Sequence, residues 1–411
     1  MLEADVEVDR RDFTVRARLT VAPGERLALF GPSGAGKTTL LEVIAGLVAP
    51  RRARITLSGR VLTSTGKSVT ALPPWQRRVG MLRQDPGLFP HLSVRDNLLY
   101  ARTRSTSGSA GAELAELAGL LEIDRLMAAM PARLSGGQAH RVALGRLLLS
   151  HCDALLLDEP YAGLDASLRR TLTDLVVSLV AERRVPAILV AHELAEAQAF
   201  ADRLAVLDRG ELLQVGAPGE VVLRPAAHRV AELVGYTAFV PVPGSGPGPG
   251  SGPGPAAQSL TVAAGSGSGS GSDSDSDSDW DSGSGSVPGS GSVPGSGSGP
   301  GSGSGFAGVV AGIHPDRVIS GRHPDRGLVL AGIVSSCRPA GALWEVAIRA
   351  AGTTVTGRLP EAVPTGTVAE LTAVDPPYFD ADGAAVVAAA APAGDHAFAE
   401  GARPGRAGVE K

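Results

Sequence analysis

Three short stretches carry side chains suited to phosphate chemistry. Gly31 to Thr38 reads GPSGAGKT, a glycine, four residues, then Gly-Lys-Thr. Gly31, Pro32, Ser33, Gly34, Ala35 and Gly36 form a loop whose backbone N–H groups can turn toward one point. A helix beginning there adds its positive end, which stabilises an anionic phosphate. Lys37 then reaches the outer phosphates of ATP, Thr38 offers a hydroxyl to Mg²⁺, and Thr39 offers another to a phosphate. The second stretch, ALLLDEP from Ala154 to Pro160, is an apolar run that ends in two adjacent carboxylates. A buried strand normally avoids charge. Asp158 can hold Mg²⁺, directly or through water, and Glu159 can polarise a water for attack on a γ-phosphate. On its own, an Asp-Glu pair reads more simply as a solvent-facing helix start. The third stretch is Leu134, Ser135, Gly136, Gly137 and Gln138, which open the amphipathic run AHRVALGRLLL. It is a second helix amino end fit for an anion, or else an ordinary serine cap. One ATP hardly needs two such ends, so the economical reading is that LSGGQ of one copy completes the pocket of another.

Short apolar runs must position these groups. Leu27 to Phe30 precedes the glycine loop and LLEVIAGL follows it; Ala154 to Leu157 precedes the two acids; Ala187 to Ala191 precedes His192. Together they predict an α/β domain over residues 1–235, with a mainly parallel buried sheet and its functional groups beyond the carboxyl ends of the strands. A chain of 411 residues exceeds one ordinary core, while 54 Gly, 30 Pro and 4% aromatic residues mean that part of it cannot pack. That part is residues 241–305, mostly Gly, Ser and Pro, with Ser and Asp alternating from Ser272 to Asp279. The composition predicts a disordered linker, or two insertions flanking a strand at Ala256 to Ala264. Residues 306–383 return to period-two patterning, as in LWEVAIRA from Leu343, TTVTGRL from Thr353 and TVAELTAV from Thr367. That pattern predicts a small all-β barrel or sandwich, followed by a frayed tail over 384–411.

Composition also excludes partners and places. A net charge of −4 and a pI near 6.1 argue against a nucleic-acid partner. Cys152 and Cys337 cannot make a disulfide framework, which fits a reducing compartment. The opening MLEADVEVDRRDF lacks the basic and apolar pattern of an export signal. The richest apolar stretch, Val142 to Leu157, is interrupted by Arg146, His151 and Asp153, so the expectation is a chain that docks to a membrane protein rather than spanning the bilayer.

With these residues in order, the chain resembles the ATP-binding subunits of ABC transporters over about residues 1–235. Gly31 to Thr39 looks like the Walker A loop, Gln84 in MLRQD like the Q-loop glutamine, and Leu134 to Gln138 like the signature motif. Leu155 to Asp158 looks like Walker B with Glu159 as its catalytic glutamate, Ala162 to Asp165 like the D-loop, and His192 like the switch histidine. The helical subdomain of such proteins would occupy about 85–135. The resemblance implies a head-to-tail homodimer that sandwiches two MgATP between the Walker A loop of one copy and the signature of the other. Glu159 would be the general base, His192 would contact the γ-phosphate, Gln84 would touch Mg²⁺ and couple to transmembrane permease subunits, and Asp165 would signal between copies. Adenine would stack on an upstream aromatic residue, for which Phe13 is the one available, at a shorter spacing than usual.

Arg77 to Tyr100 resembles molybdate-import ATPases more than sugar or polyamine ones, and AGIHPDRV from Ala311 resembles the start of an accessory TOBE domain of importers. The Ser-Ala-Arg-Asn opening of molybdate-binding versions is missing, and Val334 to Arg338 reads VSSCR. The expectation is an importer ATPase at the cytoplasmic membrane face, serving molybdate or a related oxyanion and fed indirectly by an extracytoplasmic solute-binding protein. Sulfate or ferric iron transport stays open, as do a non-transport ABC ATPase and a ligand-sensing regulator.

Overall fold

In LEADVEVD the apolar residues Leu2, Ala4, Val6 and Val8 are buried and the acids between them face outward, the period-two arrangement of a half-buried strand. This is β1, Leu2–Asp9. It opens an eleven-stranded sheet with β2 (Thr14–Val21), β3 (Arg26–Phe30), β4 (Arg52–Leu57), β5 (Arg60–Ser64), β6 (Thr70–Ala71), β7 (Val79–Leu82), β8 (Ala154–Asp158), β9 (Ala187–Val190), β10 (Arg203–Asp208) and β11 (Glu211–Gly216). The spatial order is β6-β5-β4-β1-β2-β11-β10-β3-β9-β8-β7. This computed structural model describes residues 1–66, 68–100, 110–242, 310–323, 326–350 and 352–386. The chain divides into two compact units, based on Met1–Tyr236 and Thr237–Asp382.

The expected mainly parallel sheet is only half of the one observed. From β7 through β8, β9 and β3 to β10 every pairing is parallel, and β8 and β9 are wholly buried. The β2, β1, β4, β5 and β6 block is antiparallel. Links as short as Arg10 to Phe13, between β1 and β2, leave no room for the crossover that parallel pairing needs. The three predicted core strands coincide with β3, β8 and β9. Within the expected helical region lie the helices Val94–Tyr100 and Ala110–Leu120. Among the described residues, no helix is long and apolar enough to cross a membrane.

The second unit is all β, as its sequence pattern predicts. Its strands are β12 (Ala238–Pro241), β13 (Val310–Ile313), β14 (Val318–Ser320), β15 (Gly327–Ala340), β16 (Leu343–Ala350), β17 (Thr353–Leu359), β18 (Val368–Val374) and β19 (Tyr378–Phe379). One sheet runs β14-β18-β15-β16-β17; in another, β12, β13 and β19 lie side by side. Both contribute to one apolar core that includes Val240, Ile313, Leu330, Val346 and Leu371. Strand β12 precedes the Gly/Ser/Pro run yet pairs with β13 beyond it, Pro241 opposite Val310. The run therefore interrupts the β unit rather than preceding it. The strand expected at Ala256 to Ala264, and most of the linker and tail, lie outside the described residues.

Candidate functional site

The glycine loop leaves β3 and enters the helix Lys37–Ala45. Gly31 has φ 150°, and a Cβ there would stand 1.9 Å from the carbonyl oxygen of Leu207 in β10, so no side chain fits. The helix rests on the sheet through Leu40, Leu41, Val43 and Ile44, all fully buried. Its first residue, Lys37, is itself buried, and Nζ donates to the carbonyls of Gly31 (2.8 Å) and Pro32 (2.9 Å). Burial lowers the lysine pKa, opposed by the negative charges of Glu159 and Asp158. The ammonium is held inside the loop's own curve, where an incoming phosphate can recruit it.

Strand β8 delivers both carboxylates beside the loop. Thr38 Oγ1 donates to Asp158 Oδ1 at 3.1 Å, and Asp158 is buried. Burial raises its pKa; the Thr38 bond pulls the other way. Glu159 adopts a left-handed backbone, φ 52°, a conformation that costs a non-glycine residue roughly 1–3 kcal/mol. That turn aims its carboxylate at two partners: Gln84 Nε2 donates to Oε2 at 3.3 Å, and His192 Nε2 pairs with Oε1. His192 follows β9, and its own N–H donates to Glu196 Oε2 at 3.3 Å. Glu196 has a pKa raised by burial.

The structure thus brings Ser33 to Thr39, Gln84, Glu159 and His192 to one cleft of about 580 Å³, with Asp158 beneath it. Among the described residues no group of three or more His, Cys, Asp or Glu side chains could hold a metal by itself. The hydroxyl of Thr38 and the carboxylate of Asp158 are hard oxygen donors that fit Mg²⁺ sharing its shell with nucleotide phosphates and water.

Leu134 to Gln138 do not line that cleft. Ser135 caps the helix Gly136–Leu148: its Oγ accepts from Gln138 N–H at 3.3 Å while Gln138 Oε1 accepts from Ser135 N–H at 2.9 Å. A Cβ on Gly136 would meet nothing within 4 Å, and one on Gly137 would lie 4.0 Å from Gly163 O, so the signature abuts the Ala162 to Asp165 segment. Asp165 caps the next helix, Ala166–Arg183, accepting from the N–H groups of Ser167 (2.9 Å) and Leu168 (3.0 Å). The Leu168 bond leads in lowering its pKa.

Three arginines near the loop escaped the motif reading. Arg10 donates from Nε to Thr39 Oγ1 at 2.7 Å, and Arg11 lines the cleft mouth. Arg77, buried, donates to the carbonyls of Leu72, Val43 and Ile44 and to Thr63 Oγ1, closing the far end of the phosphate-loop helix. No short motif marks them: Arg10 reaches Thr39 from 29 residues away, and the partners of Arg77 are mostly backbone carbonyls.

This is the fold of a P-loop ABC ATPase, and residues 15–162 match the family model described as ABC transporter. Among similar curated proteins is the Fe(3+) ions import ATP-binding protein FbpC of Pseudomonas fluorescens, 43% identical over 224 residues, which are 54% of this chain and 62% of that protein. Another is the molybdenum import ATP-binding protein ModC of Mesorhizobium japonicum, 41% identical over 213 residues, 52% of this chain and 57% of the relative. The chain spans about three fifths of the length of these relatives. A solved ATP-binding subunit of an ABC transporter aligns at 24% identity and a TM-score of 0.49, covering 58% of this chain and 95% of that one.

Proposed function

We propose that this chain is the ATP-hydrolysing subunit of an ABC importer, acting as a homodimer on permease subunits at the cytoplasmic membrane face. The observation that carries this reading is the cleft itself, where Lys37, the Thr38–Asp158 pair and Glu159 with its Gln84 and His192 partners converge. In it the loop N–H groups and Lys37 bind the triphosphate of ATP. Thr38 and Asp158, with Gln84 nearby, hold Mg²⁺, which when bound neutralises charge on the phosphates. Glu159 takes the proton from the attacking water, and His192 fixes that carboxylate and faces the γ-phosphate.

The signature of the same chain lies outside the cleft, which favours a partner copy supplying Leu134 to Gln138, with Asp165 beside that contact. Next to the Gln84 loop, Phe89, Tyr100 and Arg146 line a second cleft of about 410 Å³ suited to a permease segment. The second unit is read as a TOBE-like accessory domain. For the solute, molybdate or a related oxyanion is favoured by the Arg77 to Tyr100 resemblance and by the ModC relative. Ferric iron is the second reading, favoured by the 43% identity to FbpC.

The test is Glu159→Gln. We expect hydrolysis to fall by about 10²- to 10⁴-fold while ATP binding persists and ATP-bound dimers accumulate in size-exclusion runs. Unchanged turnover would remove Glu159 as the base. ATPase stimulation of the complete complex by molybdate, sulfate or ferric iron then separates the solutes.

A further inference from the structure

A general base must be aimed, and for Glu159 that takes two sets of contacts. Gln84 and His192 meet its carboxylate. Its backbone is a separate matter, because a left-handed residue with φ 52° persists only where its surroundings over-determine it. The turn itself offers little: Pro160 has no N–H to donate, and Ala162 N–H reaches Glu159 O at a long 3.3 Å.

The missing brace stands on the LSGGQ helix. Residues three apart share a helix face, and Gly137 faces the carbonyl of Gly163. That places His140 against the same segment, one turn further along the helix. The residue is only 6% exposed, and the acceptors beside its ring are the carbonyls of Glu159 and Pro160. Burial holds its pKa below the usual histidine range, against the pull of the Glu159 charge and of those two carbonyls. At pH 7 the ring is therefore neutral, with one N–H to give. Its Nε2 is buried and short of a well-formed hydrogen bond, a cost that an apolar residue of the same size would avoid.

We propose that His140 is a positioning residue for Glu159: from the LSGGQ helix of the same chain it holds the backbone of the Glu159–Pro160 turn and so sets where the carboxylate points. The inference rests on reading Glu159 as the general base. It gives one helix two duties. The end that meets a partner's nucleotide in that reading also braces, from one turn below, the base of its own site.

The test uses the full-length chain and compares His140→Phe, which keeps a ring and loses both nitrogens, with His140→Gln, which restores a donor. His140→Phe should lower kcat by about 10- to 100-fold and leave ATP affinity unchanged, and His140→Gln should recover most of the loss. In a Glu159→Gln background no carboxylate is left to aim, so His140→Phe should remove nothing further from the residual single-turnover rate, as expected of residues that act as one unit. Wild-type kcat in His140→Phe would overturn the proposal. So would a His140→Gln no better than His140→Phe, or an undiminished loss in the Glu159→Gln background. Should His140→Phe fail to fold, His140→Ala takes its place, and failure of both would overturn the proposal by making His140 a packing residue. Glu159→Gln turning over ATP at the wild-type rate would instead defeat the base reading on which the inference stands.

Discussion

The helix after the phosphate loop and the helix after LSGGQ share a design at one end and differ at the other. Each has carbonyls at its carboxyl end taken by a guanidinium: Arg77 on Val43 and Ile44, and Arg183 on Leu148 and Ser150. At the amino ends they part. The phosphate-loop helix meets a buried lysine, a buried aspartate and a strained glutamate already engaged with two partners. The LSGGQ helix is satisfied by its own Ser135–Gln138 box, and Gly136 faces open space. One end is a site that stores strain and desolvation for a ligand. The other is a quiet surface that becomes a site when something is laid on it.

The strongest way to break this contrast is to make the two ends fail separately and then mix them. Lys37→Ala and Gly137→Asp should each lower ATP hydrolysis by about 10²-fold or more, and only Lys37→Ala should weaken ATP binding to the monomer. Random pairing of the two variants leaves one intact composite site in each mixed dimer, so about a quarter of wild-type activity should return on mixing. Mixtures as dead as their parents would mean that each chain builds its site alone.

How far this contrast was readable beforehand depends on where each partner sits. The loop, the β8 carboxylates and His192 follow strands whose apolar runs end at the functional residue, so type and place are both legible in sequence. The period-two run LEADVEVD was equally plain, yet only the pairing of β1 with both β2 and β4 shows that half the sheet is antiparallel. Strand β12 was hidden because its partner β13 stands across the Gly/Ser/Pro run. The guanidinium caps were hidden for another reason: Arg77 binds backbone carbonyls 33 and 34 residues away, and backbone groups carry no sequence signal.

The next effect sharpens the shared ends. Arg77 is buried and serves four acceptors, whereas Arg183 is half-buried and serves two. Arg77→Met should therefore destabilise the protein by about 3 kcal/mol and Arg183→Met by about 1 kcal/mol in urea unfolding. Equal losses would show that burial of the cap is irrelevant.

Smaller effects should differ in sign between the amino ends. Ser135→Ala removes a cap and should cost about 1 kcal/mol. Asp158→Asn should instead raise the Tm of the nucleotide-free protein at neutral pH. The sign follows from linkage: burial raises the folded-state pKa of Asp158 above its unfolded value, so the native state holds more protons between the two. Stability then falls as pH rises through that window, and the penalty is complete above it. The asparagine escapes the penalty, so its gain in Tm should shrink as pH falls through that window and vanish below the unfolded carboxylate value near 3.9. A lower Tm for Asp158→Asn at neutral pH would mean that the carboxylate stabilises the empty site.

The smallest effect is a control that should touch neither helix. Pro241 stands opposite Val310 in an antiparallel pair, so the 68 residues between them start and finish at one point of the β12–β13 ladder. Closing a loop costs about (3/2)RT ln n, so deleting residues 265–305 and keeping 27 of the 68 should stabilise the β unit by only about 0.8 kcal/mol. ATP affinity and turnover should stay at wild-type values, because both helix ends are built from Met1–Tyr236. A deletion variant that folds but hydrolyses ATP an order of magnitude more slowly would show that the run acts on the composite site, and the contrast between a loaded end and a quiet one would then need a third participant.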